Sequence, residues 1–98
     1  MPAPSLQPDL VLRPGRDVVS SRLGDAGVLV NLRTNRILEL NVTGIRIWEL
    51  IADGLPVGEI ARRLGEEFEA APADIGAELT RLVGELEREG LLDARDGR

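Results

Sequence analysis

Between Arg36 and Gly54 the chain reads RILELNVTGIRIWELIADG, and its apolar spacing changes period within a few residues. Leu38 and Leu40 stand two apart, which puts them on one face of a strand, with Ile37 and Glu39 on the other. Beyond Asn41-Val42-Thr43-Gly44, the residues Ile47, Trp48 and Ile51 fall on one helical stripe. A switch from period 2 to period 3.6 this abrupt requires a packed strand-to-helix corner. Asn41 and Thr43 each offer a short polar side chain to cap the amides of the new helix. Gly54 stands where a helix leaves through a left-handed residue. Trp48, the only tryptophan, lies beside Ile47 and Ile51 and is expected to anchor the core.

Upstream of this corner the pattern is β-like. Residues 1–8 hold Pro2, Pro4 and Pro8 and read as a flexible arm. Residues 9–13 (DLVLR) form a possible short strand closed by the turn pair Pro14-Gly15. Residues 17–23 (DVVSSRL) and 28–32 (VLVNL) are strand runs on either side of the turn cluster Gly24-Asp25-Ala26-Gly27, with Val28, Val30 and Leu32 sharing a face. Arg33-Thr34-Asn35-Arg36 then joins two apolar runs, and Asn35 is the residue expected at positive φ, since asparagine tolerates that conformation. The result is a three-stranded antiparallel meander. Such a sheet is not stable alone in water and needs a covering layer.

The helices provide it. After Gly54-Leu55-Pro56, Ile60, Ala61, Leu64 and Phe68 keep a helical spacing, with Pro56 placed for a first turn. Pro72 suits the first position of a further helix, along which Ile75, Leu79, Leu82 and Leu86 form the inner stripe. Asp74 sits near its positive end, Arg88 near its negative end, and Gly90 terminates it. The predicted fold class is α+β, winged helix-turn-helix-like, with three antiparallel strands followed by three helices. Residues 9–93 form the single domain, and residues 94–98 a flexible tail.

Several function classes are excluded by what the side chains lack. With no histidine and no cysteine, imidazole bases, triads, thiolate chemistry, zinc sites and disulfides have no residues to build them. Glu66, Glu67 and Glu69 cluster, as do Glu85, Glu87 and Glu89, but such spacings fan carboxylates around a helix without converging them. No glycine-rich phosphate loop occurs, so neither an enzyme nor a bound cofactor is expected. Apolar content of 43% with 30% charged residues is that of a globular chain. No apolar run approaches the ~18 residues of a membrane span, and no secretory signal is visible, so a cytoplasmic location is expected. Every basic residue is arginine. Residues 1–48 carry six arginines against four acids, a balance of +2; residues 49–98 carry six against thirteen, a balance of −7.

The block Leu40-Asn41-Val42-Thr43-Gly44, then Ile47-Trp48-Glu49-Leu50-Ile51 and Asp53-Gly54, resembles the LN-x-T-G/A…IWELLDG signature of PqqD-like domains. Val57-Gly58-Glu59-Ile60, the ladder through Leu64, Phe68, Ile75, Leu79 and Leu86, and Glu89-Gly90-Leu91 resemble the rest of that pattern, so the likeness covers about residues 17–93. PqqD-like domains are RiPP recognition elements, and the resemblance implies a non-catalytic chaperone. It would bind the leader of a ribosomally synthesised precursor peptide and present it to a separate modifying enzyme: a radical SAM enzyme, a leader peptidase or a cyclase. Chaperones of pyrroloquinoline quinone synthesis carry an LLYPEG-like stretch before the LN corner. Here Val30-Asn31-Leu32-Arg33-Thr34-Asn35 stands in its place, closer to stand-alone elements of lasso-peptide and other pathways.

In that family the leader adds as a strand to the third strand's edge and fills a groove against the third helix. Carried onto this chain, the edge strand is Arg36–Leu40 and the facing helix spans residues 74–89. The implied peptide-binding residues are Arg33, Arg36, Ile37, Leu38 and Glu39 on the hairpin side, and Glu78, Arg81, Val83 and Glu85 on the helix. Two other readings are a winged-helix DNA-binding regulator and a module that homodimerises through its edge strand. The first needs a basic recognition helix, yet residues 74–89 hold two arginines against five acids, a balance of −3. No nucleic acid or membrane partner is expected, and the chain is a monomer or an edge-strand homodimer.

Overall fold

A computed structural model describes residues 6–93. Strands β1 (Val18–Leu23), β2 (Ala26–Asn31) and β3 (Arg36–Leu40) precede helices α1 (Val42–Ala52), α2 (Val57–Phe68) and α3 (Pro72–Arg88). The sheet is antiparallel in the order β1-β2-β3. Leu23 pairs with Ala26, so the first hairpin turns on Gly24-Asp25 alone, with Gly24 at φ 63°. Ala26 and Gly27, expected in the turn, belong to β2 instead. The second hairpin spans Leu32 to Asn35, and Asn35 takes φ 60° as expected.

The corner after β3 is built as its residues require. The Asn41 side chain accepts a hydrogen bond from the Gly44 amide at 2.9 Å, capping α1. A Cβ on Gly44 would come within 3.2 Å of the Leu40 Cβ, so glycine lets the helix start directly over the strand. Both α1 and α3 end in Schellman motifs: Leu55 donates to the Leu50 carbonyl past Gly54, and Leu91 to the Leu86 carbonyl past Gly90. α2 ends on Glu69 at φ 52°, a left-handed residue without glycine's freedom.

Helix α1 packs on β2 and β3, α2 on α1, and α3 on α2. The sheet contributes Leu29 and Leu40 to the core, which Ile47, Trp48, Ile51, Ile60, Leu64, Leu79, Leu82 and Leu86 fill from the helices. Each such side chain contributes about 1.5–3 kcal/mol relative to exposure. The buried face of β2 is Gly27, Leu29 and Asn31, while Leu32 is exposed and Val28 and Val30 are half-buried on the outer side.

The N-terminal segment departs from expectation twice. Residues 9–13 add no strand to the sheet; Leu10 and Leu12 are buried, and Val11 makes an isolated bridge to Pro56. Residues 6–8 are not a free arm: Leu6 packs against the core and the Pro8 carbonyl accepts from the Gly58 amide at 2.8 Å. The rest of the expected arm, residues 1–5, and the expected tail, residues 94–98, lie outside the described residues.

Candidate functional site

Strand β3 hydrogen-bonds to β2 along one side only, and its other edge turns toward α3. A depression of about 610 Å³ lies at this edge, lined by Glu39, Leu40 and Asn41, by Gly27 of β2, and by Arg81 and Glu85 of α3. The strand's side chains divide as period 2 demands. Leu40 is buried and Leu38 packs against the core, whereas Ile37 is 65% exposed on the outer face that it shares with Glu39. The edge therefore combines unpaired backbone groups with a partly apolar floor, the two components that strand addition uses.

At the other end of β3, the strand and helix are tied together. The Arg36 guanidinium grips Glu89 through Nε at 2.6 Å from Oε1 and Nη2 at 3.1 Å from Oε2. This hydrogen-bonded pair holds the Glu89 carboxyl below its usual range. Beneath it, Asn31 is buried with 3% exposure, and its Nδ2 donates to the carbonyls of Glu89 and Gly90 at 3.1 and 3.3 Å. The Asn31 Oδ1 accepts from the Arg33 amide at 3.0 Å. One asparagine thus joins the β2–β3 hairpin to the end of α3.

The expected binding residues separate into groups. Glu39, Arg81 and Glu85 meet at the depression, with Leu38 on the strand between Glu39 and the Arg36 tie. Arg81 lies between Glu78, at 2.7 Å, and Glu85, at 3.2 Å, so its charge is already matched. Arg33 is elsewhere, lining a separate depression with Asp17 and Asp93. Val83 is a correction: expected at the groove or its rim, it is 1% exposed and belongs to the core cluster. Its helical position adjoins Leu82 and lies four residues from Leu79, so the inner stripe of α3 is wider than a strict leucine ladder. Asn31 and Glu89 were not among the residues expected here. A lone asparagine inside the β-like run VLVNL was the available signal for the first. No local signal existed for the second.

The family model described as Coenzyme PQQ synthesis protein D (PqqD) matches residues 26–92. The chain belongs to the PqqD family. Among curated proteins no sequence match is found. Among solved structures, this PqqD-family chain is similar to TbiB1 in complex with the TbiA(beta) leader peptide, at 27% identity and a TM-score of 0.78, covering 84% of this chain and 95% of that one. It also shares its fold with lasso peptide synthetase B1 complexed with the leader peptide, at 23% identity and a TM-score of 0.76, covering 86% and 99% of the two chains. The PqqD match runs from the start of β2 through α3 and so contains both walls of the β3–α3 groove.

Proposed function

We propose that this protein binds the leader segment of a ribosomally synthesised precursor peptide as a strand added to β3, and presents it to a separate modifying enzyme. That enzyme would be a leader peptidase, a cyclase or a radical SAM enzyme. The observation that carries this reading is the open β3 edge facing α3 across a depression, in a fold whose 27%-identical neighbour was solved with a leader peptide. The role is one of binding without catalysis, exercised in the cytoplasm. No described helix is long and apolar enough to cross a membrane.

The electrostatics of α3 support a peptide over a nucleic acid. Arg81 is held between two glutamates, and the helix as a whole is acidic, so it would repel phosphate. A flexible peptide loses conformational freedom on pairing, which places the expected Kd at ~10⁻⁵ to 10⁻⁸ M.

The test is a fluorescence-anisotropy titration with the labelled leader encoded by the nearest small open reading frame, beside a scrambled leader and a DNA duplex. Saturable binding of the leader alone is expected. In a variant Ile37→Pro shown by circular dichroism to remain folded, binding should fall, because the Ile37 amide points away from β2 and proline removes that backbone donor from the edge. Full affinity in that folded variant would place the peptide elsewhere. Tight binding of the duplex would favour a regulator.

A further inference from the structure

Resting on strand addition at β3, we infer that the added strand carries a lysine or arginine opposite Glu39 and an apolar residue two positions away, opposite Ile37. The inference concerns the face of the sheet that no helix covers. There the register aligns Val19, Val30 and Ile37 in one cross-strand row, and Ser21, Val28 and Glu39 in the next. Val19 is 48% exposed, so the apolar row lies open to solvent. A fourth strand lengthens each row by one side chain, because directly opposed residues have their Cβ atoms ~5 Å apart. The residue beside Ile37 completes an apolar row, and the one beside Glu39 meets a carboxylate.

Glu39 is the single charged side chain among the paired residues of this face, and among the described residues it has neither a hydrogen bond nor an ion pair. The cations nearest the groove are committed elsewhere: Arg36 to Glu89, and Arg81 to Glu78 and Glu85. An incoming cation therefore meets an unmatched carboxylate beside an acidic helix, whereas an incoming acid meets repulsion. Side chains alternate with period 2, so the two outward positions are two apart whichever way the strand runs. The residue between them lies beside Leu38, which packs against the core, and is apolar. The occupant is thus an extended segment of the form basic–apolar–apolar, read in either direction.

The probe is a phage-displayed library of random dodecapeptides, panned against the immobilised full chain and against Glu39→Lys. Peptides selected on the native chain should hold lysine or arginine two positions from an apolar residue. Those selected on Glu39→Lys should replace it with aspartate or glutamate. A peptide selected on the native chain should bind Glu39→Lys about five- to tenfold more weakly, with the difference shrinking in salt. N-methylating alternate amides of that peptide tests pairing without altering the protein: one set of positions should abolish binding and the other should not. If binding follows that alternation but changes less than twofold in Glu39→Lys, the basic residue is wrong and strand addition stands. If N-methylation has no alternating effect, or no peptide is enriched, strand addition fails and this inference fails with it.

Discussion

Gly27 shows how much of this fold rests on a missing methyl group. A Cβ at this position would lie 2.5 Å from the Cγ1 and Cδ1 atoms of Ile45, itself buried in the core, so α1 sits directly on the backbone of β2. Replacing Gly27 with alanine forces Ile45 off its rotamer or lifts α1, and overpacking of this kind costs about 1–3 kcal/mol. A lower midpoint in urea, with an unchanged slope, is the expected result; an unchanged midpoint would mean that the contact relaxes freely. Asn31 offers a second test at the same scale. Asn31→Ala leaves the part-buried carbonyl contacts at Glu89 and Gly90 without their donor, a loss of about 0.5–1.5 kcal/mol. Asn31→Asp should be worse, since it sets a carboxylate against two carbonyls. Residues whose job is local were legible in the sequence: Asn41 as a cap, Asn35 and Gly54 at positive φ, Gly90 as a terminator. Gly27 reads as a turn residue in the sequence, because its close approach exists only once Ile45 is packed across it.

Among the elements, the order β-β-β-α-α-α and the inner stripes of α2 and α3 follow from spacing alone, since each periodic run records which side meets the core. The links between distant elements are another matter. Arg36 and Glu89 are 53 residues apart, and each taken alone reads as a solvated charge. Together they tie β3 to the end of α3. Both side chains are at the surface, so removing either should change global stability little. The effect to expect is local. In Arg36→Ala or Glu89→Gln, amides of the last turn of α3 and of Gly90 and Leu91 should exchange hydrogen faster, while those of α1 remain protected. Uniform exchange across the chain in both variants would mean that the pair has no part in holding the groove. The edge strand's identity was legible through the family resemblance; the tie from its hairpin to the end of α3 was not, because Asn31 and this pair find their partners only across the folded chain.

For the molecule as a whole, ionisation is unusually simple: twelve arginines, seventeen carboxylic residues, and no histidine. With no histidine and no cysteine, the side-chain types that ordinarily titrate near neutral pH are absent, so stability should be nearly level from about pH 6 to pH 8. Acid is where it should change. Hydrogen bonds from Arg62 and then Arg63 lower the Glu59 carboxyl to about 2, hydrogen bonding to Arg46 lowers that of Glu67, and hydrogen bonding to Arg36 lowers that of Glu89. A carboxyl depressed in the folded state binds protons less readily there than in the unfolded chain. Its contribution is therefore complete above the unfolded value and is lost as pH falls through the folded one. Glu59 should act from the ordinary carboxylate range down to about pH 2, and Glu67 and Glu89 add to it below that ordinary range, while loss of the other negative charges leaves the arginines to repel one another. The thermal midpoint, followed by the fluorescence of buried Trp48, should hold steady to near pH 5 and then fall continuously toward pH 2. Glu59→Gln should flatten the lowest part of that fall, since its carboxyl is the one held near 2. A midpoint that stayed level to pH 2 would show that these pairs form equally in the unfolded chain, and a step between pH 6 and 8 would require a titrating group outside residues 6–93.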